Sequence, residues 1–232
     1  LVTLNTRPRS NQAVAHQRSA ASTRAGLPRE TSYHHGSLRD QLITMGTALL
    51  DEGGTSALSL REVARRVGVS QTAPGHHFGD RAGLLAAISA RGFMDLTEQR
   101  LARLKSVSDA EQQLRIAMLA YVEFAVTRPA LFHLMFGPEI PDKRVYPELS
   151  KASLGSYRLL TNVVARYLER EGIAANAGSV AFSIWSAAHG LATLLIDQQQ
   201  APDFVETKTV ALQCEALANL LIMGLGSATK DI

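Results

Sequence analysis

A single cysteine, Cys214, stands in 232 residues, so an intrachain disulfide is excluded and the cytoplasm is the expected compartment. Aromatics are scarce at 6% and no run of alternating β-branched residues occurs, which leaves little from which to build a sheet. A nucleophile elbow, a Cys/His pairing at useful spacing, a metal-ligand cluster and a glycine-rich phosphate loop are all missing from the sequence. An enzyme is therefore not expected, and no catalytic, metal-binding or cofactor-binding residue is assigned. Residues 1–30 hold no apolar core of signal-peptide type. Residues 179–196 lack Asp, Glu, Lys and Arg over 18 positions, which touches the lower limit for a membrane span. Three serines, a threonine, His189 and Gly190 dilute that stretch, and burial between subunits accounts for it equally well.

What the chain does have is abundant alanine and leucine, with 46% of its residues hydrophobic, enough for one sizeable core or two modest ones. The fold expected is all-α. Its net charge of +3 is unevenly placed. Residues 1–91 carry 11 Lys/Arg against 6 Asp/Glu, whereas residues 92–232 carry 13 against 15. A basic end joined to a near-neutral body suits a protein that faces phosphate at one end.

The most informative stretch is residues 59–78, SLREVARRVGVSQTAPGHHF. Ser59 and Glu62 form a capping box, and Leu60, Val63, Ala64 and Val67 then fall on one helical stripe while Arg61, Arg65 and Arg66 point elsewhere. Gly68 allows a left-handed exit, Val69 can fill the gap between two helices, and Ser70 is placed to cap the second. The pattern predicts a helix-turn-helix, whose second helix enters the major groove of DNA. In that helix Gln71 and Thr72 can read base edges, and His76 and His77 can reach phosphates. Pro74 is tolerated in a first turn.

A capped helix precedes this unit, with Leu38, Leu42, Met45, Ala48 and Leu49 at helical spacing up to Gly53 and Gly54. After it come His77, Phe78, Gly79, Asp80 and Arg81, with Asp80 placed to cap a long following helix. Over residues 37 to about 95 the series resembles the tetracycline-repressor (TetR) family of transcriptional regulators, whose N-terminal three-helix domain ends in a His-Phe-x-x-Lys/Arg signature. One departure is Gly75, where that family usually has a tyrosine. On this likeness the residues expected at DNA are His35, Arg61, Ser70, Gln71, Thr72, Ala73, His76, His77 and Arg81. The expected organisation is a disordered basic tail over residues 1–31, a helix-turn-helix domain over 32–80 and a helical ligand-binding and dimerisation domain over 81–232. The tail, with Arg7, Arg9, Arg18, Arg24 and Arg29, either follows the DNA backbone or is a mere extension.

Beyond residue 80 the expected helices run from Asp80 to about Leu104, from a second capping box of Ser108 and Glu111 to Arg128, through residues 129–136, from Pro147 to Gly172, over 179–196, and from about Asp203 to Met223. The resemblance makes the first of these a connector that joins the DNA domain to a ligand chamber. Residues 137–147 carry three prolines and serve as a lid or a simple connection. Trp185 and His189, four apart on one helical face, precede Gly190 in a pattern similar to the WHG type of TetR-family C-terminal domain. They either pack or touch a ligand. The ligand residues expected are Phe93, Tyr121, Phe124, Phe132, His133, Phe136, Trp185 and His189. The last two helices have more apolar face than one subunit can hide, which predicts a four-helix dimer interface.

The function expected is a homodimeric, ligand-responsive regulator, a repressor released from a palindromic operator by a small molecule. A ligand-binding protein of the same fold with weakened DNA binding is the alternative, and a helical enzyme a more distant one.

Overall fold

The computed structural model describes residues 37–140, 142–197 and 207–227. Among them are nine α-helices and no strand. The three-helix head comprises α1 (Leu38–Gly53), α2 (Leu60–Val67) and α3 (Ala73–Phe78). The body comprises α4 (Arg81–Leu104), α5 (Ala110–Thr127), α6 (Pro129–Phe136), α7 (Pro147–Glu171), α8 (Ala177–Ile196) and α9 (Thr207–Ser227). The basic tail and His35 lie outside the described residues, as do residues 203–206, where the last helix was expected to begin.

Side chains cap the starts of α1, α2, α4, α5 and α8, whereas α3, α6 and α7 begin without one and carry proline in the first turn. Ser37 and Ser59 cap α1 and α2, the latter accepting from Glu62 N–H at 3.1 Å. The return half of the box at Ser59 is not used, because the Glu62 carboxylate accepts instead from Arg65 and Arg66. At α5 the expected Ser108 is displaced by Asp109, whose carboxylate accepts from Gln112 N–H at 2.8 Å. A charged acceptor also meets the positive end of the helix dipole, which a hydroxyl does only weakly. Glu111, freed from that box, pairs with Arg115 one turn on.

A continuous apolar cluster runs from Leu42, Leu50 and Val63 in the head, through Leu84, Leu85 and Ile88, to Phe93, Phe124 and Phe132 in the body. The division expected at residue 80 therefore does not coincide with a gap in the core. The first half of α4 is its bridge. Residues 84–90 are buried without a break, as in a helix surrounded on every side. Surface ion pairs also link the parts, Arg39 with Glu148 among them, but half-exposed pairs of this kind contribute about 0–1 kcal/mol. Each buried leucine or isoleucine of α4 contributes roughly 1.5–3 kcal/mol, so packing rather than charge joins head to body. A second cluster gathers Leu104, Leu114, Met118, Leu160, Val164, Tyr167 and Ile184 at the far end of the body.

Candidate DNA-reading surface and ligand cavity

The reading surface is built by a sharp exit and a short helix. Gly68 takes the left-handed backbone, φ 82°, that ends α2, and its N–H returns to Ala64. Val69 packs against the core, as its position predicts. Ser70 does not cap α3. Its hydroxyl lies 3.2 Å from that of Thr72, its carbonyl accepts from Ala73 N–H, and α3 begins with no side-chain cap. Because α3 begins at Ala73, the N-cap position falls to Thr72 rather than Ser70, and Pro74, the second residue of α3, has no N–H to offer a cap there. Ser70, Gln71, Thr72, His76 and His77 are exposed, Ala73 is half-buried and Pro74 is buried.

Charge on this surface is sorted by Glu62. Bonded first by Arg65 and then by Arg66, against the opposing effect of burial, its carboxyl is held down to about 2, so it stays ionised at any pH suited to DNA. Arg65 is thus engaged, and Arg66 is shared between Glu62 and Glu52. Arg61 is exposed on the same helix, and among the described residues no carboxylate pairs with it. Arg81, expected at DNA, turns its guanidinium to the carbonyls of Leu58 and Thr55 instead, clamping the approach to α2 onto the start of α4.

Gly75 lies in the middle of α3, where an added Cβ would meet no atom within 4 Å. Its backbone has no need of glycine, so Gly75→Ala is expected to raise stability by about 0.5–1 kcal/mol through helix propensity alone. Urea unfolding measures this as a higher midpoint at unchanged slope. A lower midpoint would reveal a demand at this position that the local geometry does not contain.

In the body, side chains of α4, α5, α6, α7 and α8 and of the loop before α7 surround a cavity of about 570 Å³. Phe93, Tyr121, Phe136 and Trp185 line it. Phe124 and Phe132 are buried in the layer behind. His189 joins through hydrogen bonding: the Tyr121 hydroxyl lies 2.7 Å from His189 Nδ1, and Trp185 Nε1–H donates to that same hydroxyl at 3.1 Å. Indole can only donate, so the Tyr121 oxygen accepts from Trp185, and the imidazole tautomer sets which partner donates in the bond between Tyr121 and His189. Burial holds the imidazole below its ordinary pKa, and Lys143 adds to the effect. Burial raises the Tyr121 phenol, against smaller opposing effects of Trp185 and Arg100. Both groups stay neutral near pH 7. Phe132 stacks on His189 with ring centroids 5.3 Å apart. His133, expected at the ligand, points outward and pairs with Asp197 at 3.1 Å.

The wall also holds residues that the sequence reading missed: Arg100, Lys143, Ser150, Ser153, Ser156, Tyr157 and Phe182 among them. Arg100 left a trace, since it falls on the apolar row of α4 with Phe93, Leu96 and Leu104. Ser150, Ser153 and Tyr157 share one face of α7 by their spacing. Lys143, in a short 3₁₀ turn (Lys143–Val145), had no periodicity to betray it. Among the described residues no three His, Cys, Asp or Glu side chains cluster as metal ligands.

An exposed second helix behind a glycine turn, carried on a larger helical body, defines a DNA-binding protein of the helix-turn-helix class. Residues 42–88 match the model for bacterial regulatory proteins of the tetR family, and residues 114–216 match that for the tetracyclin repressor-like C-terminal domain. The chain belongs to the TetR family of transcriptional regulators. It is 33% identical over 95 residues to the HTH-type transcriptional regulator BetI 2 of Chromohalobacter salexigens, covering 40% of this chain and 46% of that one. Against the HTH-type transcriptional regulator Rv1816 of Mycobacterium tuberculosis it is 29% identical over 110 residues, 47% of each chain. The chain thus spans less than half the length of these curated relatives. A structure of a protein of unknown function from Rhodococcus sp. RHA1 superposes with a TM-score of 0.72 at 31% identity, covering 85% of this chain and all of that one. The regulator FadR of Bacillus subtilis, solved in complex with stearoyl-CoA, shares the fold at a TM-score of 0.64 and 12% identity, over 80% of this chain and 98% of its own.

Proposed function

We propose that the protein is a cytoplasmic, ligand-responsive transcriptional regulator, acting as a repressor, that binds a palindromic operator as a homodimer and leaves it when a small molecule enters the cavity. The observation that carries this reading is the placement of both sites on one helix. Arg81 and Gly83 at the start of α4 support the reading head, and Arg100 in its last turns lines the cavity. At 1.5 Å per residue these ends are roughly 29 Å apart. A ligand that prefers a tilted α4 would change the separation of two reading heads in a dimer, whereas one that binds both states equally would shift nothing. The likeness in fold to FadR, solved with stearoyl-CoA, supports a small-molecule role for the body.

A second copy is the occupant proposed for the outer face of α8 and α9. Leu194, Leu212, Leu220 and Met223 are exposed there, and Ser179, Ser183, Ser186 and Gly190 line the outer row of α8. Small residues let a partner helix approach closely. Both α8 and the Thr209–Gly226 part of α9 are also long and apolar enough to cross a membrane by length and composition. Against that, Glu215 is exposed near the middle of α9, and a charge at the bilayer centre costs about 3 kcal/mol or more. Two-fold pairing would set the two α3 helices about one DNA turn apart, the spacing a palindrome requires.

Sedimentation together with gel retardation on the DNA upstream of the chain's own gene tests the proposal. A dimer is expected, with sequence-selective retardation that weakens about 10³-fold or more between about 50 and 200 mM salt. A monomer, or no retardation at the lower salt, would overturn it.

A further inference from the structure

On the inward row of α4, between Leu96 and Leu104, the sequence places a guanidinium. Arg100 is only 4% exposed, its Nε is sealed from solvent without a hydrogen-bond partner, and its nearest compensation is the face of the Tyr121 ring, 5.1 Å away. The cavity it borders has a second cation, Lys143, and among the described residues no Asp or Glu in its wall. Lys143 already donates to the Met135 carbonyl and lies over the rings of Phe93 and Phe136. Serines 150, 153 and 156 add hydroxyls from α7, and the rest of the wall is aromatic or aliphatic.

A cation buried without a counter-charge is strongly disfavoured, and a cation–π contact offsets only part of that. Burial pulls Arg100 down to about 10, still far above neutrality, so the charge is carried into the cavity rather than shed. A planar guanidinium presents paired donors that match a carboxylate, and each such charge-assisted bond is stronger where water is excluded. The aromatic wall asks for an apolar body behind that head.

We propose that the cavity takes an amphipathic carboxylic acid, its carboxylate on Arg100 and its apolar body against Phe93, Phe136, Phe182 and Trp185. The assignment rests on the cavity being the regulatory site proposed above, and it names the chemistry of what enters. A phosphate head is disfavoured, since a dianion calls for a second cation to meet it, and Lys143 is already engaged by the Met135 carbonyl and the rings of Phe93 and Phe136.

Calorimetry on the full chain without DNA tests this, with decanoate, decanamide and decyl phosphate as probes. Decanoate is expected to bind about 10- to 100-fold more tightly than decanamide, and Arg100→Met to erase that preference. Equal binding of acid and amide, tighter binding of decyl phosphate, no binding of decanoate, or a preference that survives Arg100→Met would each overturn it. Should the variant fail to fold, the acid-to-amide comparison on the unaltered chain decides alone. Decanoate that binds with this preference yet leaves the DNA complex intact would end the regulatory reading and spare the carboxylate assignment. Release of DNA by a neutral ligand, with no preference for the acid, would do the reverse.

Discussion

Gly83→Ala is expected to cost about 3 kcal/mol of stability, the largest effect foreseen for so small a change. Gly83 lies in the first turn of α4, where its N–H is held by the Asp80 carboxylate at 2.8 Å. A Cβ there would sit 1.9 Å from the Phe78 carbonyl oxygen and 3.0 Å from its carbon. Backbone, unlike the tip of a flexible side chain, cannot swing away cheaply. Phe78 is the last residue of α3, its ring lies under the Arg39 guanidinium, and Gly79 behind it takes φ 77° to make the turn. Relief would therefore push α3 off α4 and tilt the residues meant for DNA. Urea unfolding should show a midpoint lowered in proportion, and gel retardation a loss of affinity beyond what the unfolded fraction explains. An unchanged midpoint would mean that the turn over residues 78–80 yields freely, and the rigid coupling of α3 to α4 would have to be abandoned.

That coupling was only half visible in the sequence. The helices themselves were legible because each carries its own start and stop signals: Ser59 before Val63 and Ala64, Gly68 after them, Asp80 ahead of Leu84, Gly172 behind Leu168. The helix-turn-helix was legible for the same reason, since its parts are adjacent in the chain. What could not be read was anything decided by the approach of distant elements. Gly83 looks like any glycine until Phe78 is seen against it. Ser108 and Asp109 offer the same N–H groups competing acceptors, and only the backbone chooses. Ser70 has the right residue type for a cap, yet the helix starts only at Ala73, which leaves Ser70 in the turn before it. In the body, Phe93, Tyr121, Phe136 and Trp185 are large enough to reach the cavity from four helices, whereas Phe124 and Phe132 are buried outside its wall. His133 misled because one position on α6 separates the inward face from the outward one. Arg100 was not singled out, although its place among Phe93, Leu96 and Leu104 on one row of α4 was the signal that it is buried.

The head offers a test of a different kind, because reading and positioning leave separate signatures. Gln71 and Thr72 are exposed in the turn that leads into α3, proposed to meet base edges, whereas Arg61, with no carboxylate partner among the described residues, lies on α2, the helix proposed to cross the backbone. Replacing Gln71 and Thr72 by alanine together is expected to remove base contacts of about 1–3 kcal/mol in each of the two copies, an affinity loss of about 30-fold or more for operator DNA. Binding to scrambled DNA of the same length should barely change. Arg61→Ala should weaken both DNAs alike and flatten the dependence of log affinity on log salt by about 2, one phosphate contact from each copy. Arg65→Ala should do less to the slope, since Glu62 already holds that charge and would be released with it. Equilibrium titrations at several salt concentrations separate the three patterns. If the Gln71 and Thr72 variant kept the parent's preference for operator over scrambled sequence, base reading would have to lie elsewhere, and α3 would be left with a positioning role alone.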